Sequence, residues 1–350
     1  MATAHGHRTC HRTWPRKPHP VRSGNARRWQ GFARAHQPDR PTDSQALAPA
    51  MHLRHFRCMD SHPEIICIGS AHWDLIGACS GQMPRGADLP GAVMRRPGGV
   101  ALNIATELAR AGKRPVLLAA VGCDPAGDEL LEHCARSGID VHLMLRSRDW
   151  PTGSYLAIEA AGSLVGAIAD LRVLEQTQRD LVALLPDACP DPHQTVVVDG
   201  NLAPETLGHM ARATALRACD LRVAAASPAK APHLLTLLDH ERLILYLNLA
   251  EAAALCATRF ADTGAAADAL RALGAARVLV TNGARPCCDA DARAHLRATP
   301  PAVTARRATG AGDAFLAAHL VAEIGGAARD EALGRALAAS ADHVGNGTTR

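Results

Sequence analysis

Glu64-Ile65-Ile66-Cys67-Ile68-Gly69 is a short, continuous apolar run that ends in glycine. An apolar run without alternation predicts a strand buried on both faces, as in a parallel sheet. A Gly/Pro-punctuated stretch follows, from Gly77 to Pro97. Ala101–Ala111 then repeats apolar residues at helical spacing and stops at Gly112, a fitting helix end. Pro115–Val121 is again a buried-strand pattern, and Asp128–Ser137 is helical up to Gly138. Strand–helix–strand–helix alternation predicts a parallel sheet with helices on both faces.

Working outward, residues 152–172 break this rhythm. Ser154–Ala160 and Leu164–Leu171 flank a turn at Ala161-Gly162-Ser163, which predicts a hairpin. The α/β pattern resumes with strands at Thr195–Val198, Val223–Ala225, Leu243–Leu247 and Val278–Thr281. Helices are expected near Ala203–Arg217, Glu251–Ala257 and Ala265–Leu273. The expectation is one α/β domain over residues 61–350, carrying a β excursion made of residues near 72–97 and 152–172.

With 350 residues, 47% of them hydrophobic, the chain can bury a sizeable core, built from Ala, Leu and Val because aromatics are only 3%. No apolar run reaches membrane-spanning length, so a membrane protein is not expected. Residues 1–60 carry eleven Lys/Arg against three Asp, a surplus of +8 in a chain of net charge +4, which leaves −4 on residues 61–350. The compact part therefore has no basic excess for phosphate backbones, and nucleic acid is not an expected partner. Residues 1–60 lack apolar periodicity and an apolar signal core. They are expected to be a disordered extension, or to precede a true start at Met51 or Met59. Eleven scattered cysteines with no Cys-x-x-Cys exclude the usual zinc spacings and fit a cytoplasmic location.

Three motifs carry chemistry. Thr309-Gly310-Ala311-Gly312-Asp313-Ala314-Phe315 places a small-residue loop at the start of a helix that continues to about Ile324. Its backbone N–H groups can form an anion cradle at the positive end of the helix dipole. Asp313, in the first turn, can take a proton from an attacking hydroxyl. Pro97-Gly98-Gly99-Val100-Ala101-Leu102-Asn103 opens the first helix; its glycines admit close backbone approach, and Asn103 can both donate and accept toward a diol. Asn248-Leu249-Ala250-Glu251 follows a strand; by itself this spacing fits a helix cap and a surface carboxylate as well as a metal site.

Together these motifs resemble the signatures of the ribokinase-like (PfkB) carbohydrate kinases, over roughly residues 63–345. The resemblance implies a three-layer α/β/α domain with a central, mostly parallel sheet and a small β-sheet lid, which agrees with the excursion already noted. It implies an ATP-dependent kinase acting on a small sugar or nucleoside. Asp313 is then the general base and Gly310, Ala311 and Gly312 the anion hole. Asp74, Gly98, Gly99 and Asn103 bind the sugar, Thr281 and Gly283 the nucleotide, and Asn248 and Glu251 hold Mg²⁺. Asp199 and Asn201 end a strand at the same edge and border the phosphates. Four softer stretches are most like the pseudouridine kinases of that family: Pro151–Ala157, Ala167–Leu171, Val198–Leu202 and Ser227–Ala231. They imply the ribose 5′-hydroxyl of pseudouridine as acceptor, with Tyr155, Asp170 and Lys230 as positional candidates for contacting the base. Members of the family form dimers, some through the lid, so a homodimer is an expectation.

The chain also departs from the pattern. Arg307 replaces an aspartate associated with a monovalent cation, and an arginine cannot coordinate one. Ala308 and His319 leave the second signature, Pro286 replaces a glycine, and Cys287-Cys288-Asp289 replaces an apolar strand. The chain ends at Arg350, where the family generally continues. Alternatives are another sugar or nucleoside kinase of the family, a sugar-binding paralogue without ATP chemistry, and an RNA-binding basic arm.

Overall fold

The computed structural model describes residues 65–161, 163–191, 193–305 and 309–345. The basic segment 1–60, Arg307 and Ala308 lie outside them.

Fourteen strands and nine α-helices follow one another along the described residues. The chain opens with β1 (Ile65–Ile68), β2 (His72–Cys79), β3 (Ala92–Gly98) and α1 (Val100–Arg110). Next come β4 (Val116–Leu118), β5 (Ala120–Gly122), α2 (Pro125–Arg136) and β6 (Leu145–Ser147). The hairpin β7 (Ser154–Ala160) and β8 (Ser163–Asp170) leads into α3 (Arg172–Ala183) and α4 (Leu185–Ala188). The second half holds β9 (Thr195–Asp199), α5 (Pro204–Arg212), β10 (Asp220–Ala224), β11 (Leu243–Asn248), α6 (Leu249–Leu255) and α7 (Thr263–Ala272). It closes with β12 (Arg277–Asn282), β13 (Arg285–Asp291), β14 (His295–Ala298), α8 (Ala311–Ile324) and α9 (Arg329–Gly345).

The main sheet has eight strands in the order β14-β13-β12-β11-β10-β9-β1-β4. From β12 to β4 the pairs are parallel, and β13 and β14 add an antiparallel edge. Strand alternation sends side chains to two cores. Ile66, Ile68, Val196, Val198 and Leu245 pack with Leu174, Leu207, Leu255 and Leu270 on one face. Ile65, Cys67, Val197, Tyr246 and Leu279 pack with Leu102, Leu130, Phe315 and Leu333 on the other. The continuous apolar runs are thus the two-sided burial that parallel strands require.

The lid is a separate four-stranded sheet, β3-β2-β7-β8. Its hairpin register pairs Leu156 with Ile168 and Ala157 with Ala167, as the break at residues 161–163 predicts. Trp73 ties the lid to α2: its indole N–H donates to the Ala126 carbonyl at 2.9 Å, and the Arg95 guanidinium stacks 3.6 Å over the ring.

Several expectations need correction. Pro115–Val121 is not one strand. β4 joins the main sheet, whereas β5 pairs with β6 in a two-stranded ribbon, so the chain changes sheet at Ala119. The helix expected at Ala203–Arg217 stops at Arg212 and is followed by a short 3-10 turn over Thr214–Leu216. α2 begins earlier than expected, because Asp124 caps it by accepting from Gly127 N–H at 2.8 Å and Pro125 suits the first turn. Cys287-Cys288-Asp289 keeps strand structure within β13, with all three side chains buried.

Asp289 belongs to an ionic network under α8 and α9. It accepts from Arg277 (2.8 and 2.6 Å) and from Arg329 (2.8 and 2.6 Å). Glu323 of α8 bridges Arg222 at 2.7 Å and Arg277 at 2.6 Å. His319 sits within this network, its Nδ1 2.8 Å from the Tyr246 hydroxyl. Burial lowers His319 to about 4, so it is neutral. These pairs fix the far end of α8 against β10–β13 and thereby set where its first turn points.

Candidate active site

Because β1, β4 and β9–β12 are parallel, the segments leaving them emerge at one edge. Ligands of open α/β sheets bind outside that carboxyl edge. The residues singled out in the sequence converge there from the sheet, from α1 and α8, and from the lid.

On the lid side, Asp74 is buried in β2. Arg96 Nε lies 3.4 Å from its Oδ2, and His72 Nδ1 lies 3.3 Å from its Oδ1. Gly98 is dictated by this carboxylate: a Cβ there would stand 2.2 Å from Asp74 Oδ1. Gly99 has φ +106° and would place a Cβ 2.4 Å from the Ser70 carbonyl. These two positions let the chain turn tightly into α1, whose N-cap, Gly99, has no side chain to cap it.

Asn103, in the first turn of α1, donates from Nδ2 to Asp313 Oδ2 at 2.9 Å. This one bond joins the sugar-side motif to the Gly-loop motif across 210 residues. Asp313 lies in the first turn of α8. Gly310 adopts the left-handed conformation (φ 88°) just before it, and no side chain caps this helix. A Cβ on Gly312 would meet nothing within 4 Å of it, so among the described residues the space beside Gly312 is open. Helix α9 braces this turn: the Ser340 hydroxyl donates to the Ala311 carbonyl at 3.1 Å.

Burial raises Asp313 to about 7, against the lowering effect of the Asn103 bond; the charges of Asp199, Glu107 and Glu251 push it further up. That is the range in which a carboxylate serves as a general base at neutral pH.

On the other side, Asn248 ends β11 and caps α6. Its side chain accepts from Glu251 N–H at 2.9 Å, and Glu251 Oε2 accepts from Asn248 N–H at 2.8 Å. This is a capping box. Glu251 is buried, and burial raises it to about 7. Among the described residues no group of three or more His, Cys, Asp or Glu is arranged around a metal. Magnesium keeps several waters and needs only one or two carboxylates beside substrate phosphates. The buried Glu251, which bears on Asp313 electrostatically, fits that outer role. Thr281 pairs with Asn248 across β11 and β12, and Gly283 turns the chain with φ +55° into open space. Pro286 lies in β13 where the pairing with β12 shifts register between Val280 and Asn282, and its carbonyl accepts from the Thr263 hydroxyl at 2.9 Å.

Sequence reasoning missed Ser70. Its buried hydroxyl and N–H both donate to Asp199 Oδ2, the latter at 2.9 Å, and its oxygen accepts from Val100 N–H at 3.0 Å. Asp199 Oδ1 accepts from Asn201 N (2.7 Å) and Nδ2 (2.8 Å). Asp199 thus stitches the ends of β1 and β9 to α1. The three base-reading candidates separate. Asp170 is held by Arg172 at 2.8 and 2.6 Å. Lys230 bonds Asn201 instead. Only Tyr155 shares the Asp74 row of the lid, with its ring 6.5 Å from that of His72.

The fold and this convergence define a ribokinase-like α/β protein. Residues 62–350 match the sequence model of the pfkB family carbohydrate kinases, and the chain belongs to that family. It is similar to a carbohydrate kinase from Agrobacterium tumefaciens, with 31% identity and TM-score 0.67 over 80% of this chain and 90% of that one. A structure of Arabidopsis thaliana ribokinase complexed with ribose and ATP shares the fold at 20% identity and TM-score 0.68, over 81% of this chain and 93% of that one. Over 144 residues, 41% of this chain, it is 31% identical to pseudouridine kinase of Escherichia coli (strain K12) and 35% identical to the uncharacterized sugar kinase YeiI of the same organism. Those matches span 46% and 39% of the respective relatives, under half the length of each.

Proposed function

We propose that this chain transfers the γ-phosphoryl group of ATP to the ribose 5′-hydroxyl of pseudouridine. The observation that carries the kinase reading is Asp313, raised to about 7, standing beside a backbone turn open at Gly312 and tied by Asn103 to the sugar-side helix. Support for pseudouridine is narrower: the partial identity to pseudouridine kinase and the four stretches that resemble its class.

In this reading Asp74, Gly98, Gly99 and Asn103 hold the ribose so that its primary hydroxyl faces Asp313. The Asp313 carboxylate takes the hydroxyl proton, and the freed oxygen attacks the γ-phosphorus as the bond from that phosphorus to the β,γ-bridging oxygen breaks and ADP leaves. The N–H groups around Gly310, Ala311 and Gly312 stabilise the charge on the transferring group, which is the greater part of what phosphoryl transfer needs. Thr281 and Gly283 border the nucleotide. Glu251 and Asn248 would hold a hydrated Mg²⁺, which supplies charge neutralisation on the phosphates. The exposed apolar lid residues Val93, Leu156, Ile158 and Ile168 support a homodimer through the lid.

The test is ADP release with Mg²⁺ and ATP, offering pseudouridine, uridine, adenosine and ribose in turn. Selective turnover of pseudouridine supports the proposal. Turnover of another acceptor keeps the mechanism and moves the substrate. Binding of pseudouridine without ADP release contradicts the kinase reading and favours a sugar-binding paralogue.

A further inference from the structure

We infer that Lys230 supplies a positive charge to the phosphoryl group as it crosses from nucleotide to acceptor. This rests on the kinase reading above and gives Lys230, until now only a positional candidate for contacting the base, a role toward the phosphoryl group instead.

The strand order sets the place. Thr281 and Asn248 end β12 and β11, on the nucleotide side. Ser70 follows β1 and α1 packs beside it, on the acceptor side. β10 and β9 lie between the two. Lys230 is in the turn after β10, where its N–H donates to the Ser227 carbonyl at 3.0 Å. Its ammonium is therefore at the carboxyl edge, midway between the two sides.

The orientation of the ammonium is prescribed by a chain of bonds. Asp199 accepts both the backbone N–H and the Nδ2 of Asn201. Asn201 Nδ2 also lies 3.3 Å from Ser70 Oγ. With its amide nitrogen so committed, Asn201 turns its Oδ1 outward, and Lys230 Nζ donates to it at 2.5 Å. Ser70 in turn receives Val100 N–H in the first turn of α1, the helix whose Asn103 holds Asp313. The ammonium is thus three hydrogen bonds from the N-terminus of α1, and Asp199 in the same chain acts electrostatically on Asp313.

The partner set is incomplete for a cation. An ammonium has three donors, and among the described residues one hydrogen bond is made, to a neutral amide. Lys230 is half-buried, and no carboxylate among the described residues forms an ion pair with it. A partly desolvated charge without a counter-ion is unfavourable until an anion arrives. The acidic groups nearby do not supply it: Asp199 is occupied by Ser70 and Asn201, and Asp313 by Asn103. A phosphoryl group between nucleotide and acceptor supplies the missing negative charge.

The experiment compares Lys230→Met and Lys230→Arg with the wild-type chain. It reads kcat and KM for ATP and for the acceptor, and inhibition by ADP with aluminium fluoride, a mimic of the group in transit. Lys230→Met is expected to lower kcat by about 10²-fold and weaken that inhibition by a like factor, as for loss of one charged transition-state donor. Lys230→Arg restores at least about tenfold of this, because the charge returns. The acceptor KM and the Tm of both variants stay near wild type. Equal kcat in Lys230→Met and wild type overturns the assignment. So does an equal loss in Met and Arg variants accompanied by a lowered Tm, which marks a purely structural lysine. A wild-type chain that transfers phosphate to no acceptor refutes the kinase reading itself, and the assignment with it.

Discussion

Asp313→Asn separates chemistry from stability in a single substitution. Asparagine keeps the shape and the bond to Asn103 but cannot take a proton, so turnover should fall by about 10²–10⁴-fold. In the wild type, the fraction of Asp313 able to act falls as pH drops through about 7, so kcat/KM should fall about tenfold per pH unit below that point. The stability effect has the opposite sign. Folding raises this carboxyl from its ordinary value of 3.8 to about 7, so the folded state favours the protonated form. The stability that the protonated group confers is complete below the unfolded value, declines from there, and is gone once pH passes about 7. The whole shift is worth about 4 kcal/mol. Asp313 keeps some contact with solvent, which screens its charge and leaves on the order of 2 kcal/mol. Asparagine mimics the neutral form. The variant should therefore melt about 5 °C above wild type at pH 8, with the gap closing toward pH 4. Thermal unfolding across pH, beside turnover at each pH, reads both effects. Unchanged turnover refutes the base assignment, and a Tm gap independent of pH refutes the burial argument.

Other residues give independent tests. Gly98→Ala puts a Cβ 2.2 Å from Asp74 Oδ1, so the carboxylate must move; acceptor KM should rise at least about tenfold while KM for ATP holds, read by steady-state kinetics. Asp289→Ala leaves the partly buried Arg277 and Arg329 without their shared carboxylate, which should destabilise the fold by about 3–5 kcal/mol in denaturant unfolding. Ile168→Asp introduces a charge on the exposed apolar lid, where Ile168 is 69% exposed; on the proposed lid-mediated pairing, sedimentation should show a dimer for the wild type and a monomer for the variant with the Tm little changed, and a wild-type monomer would refute that pairing.

Much of this was legible in the sequence, for identifiable reasons. Buried parallel strands carry unbroken apolar runs, so β1, β9 and β11 fall within a residue of their expected places. The hairpin β7–β8 declared itself by its turn. The division of Pro115–Val121 was not legible, because both halves are buried and apolar whichever sheet they join. α3 was not anticipated; its buried face alternates Val173 and Leu174 with polar Thr177 and Gln178, which blurs the helical period. At the site, glycines and carboxylates in motifs stood out, and the Asn103–Asp313 bond joins two of those motifs. Ser70 did not, because its role depends on hydrogen bonds to residues up to 131 positions away, and Lys230 stood out only by position, as a candidate for the base, with nothing in the sequence to show its bond to Asn201. The Asn248–Glu251 spacing left cap and metal roles open, and the structure shows the cap realised, with Glu251 also buried beside the site.

The most direct test of the central claim is the fate of the phosphoryl group. The chain would be incubated with Mg²⁺, ATP and pseudouridine, and the mixture followed by phosphorus NMR. A new phosphomonoester coupled to the 5′-methylene protons is expected, growing in step with ADP and absent with Asp313→Asn. ADP accompanied only by inorganic phosphate, or a phosphomonoester formed equally well by Asp313→Asn, would contradict it.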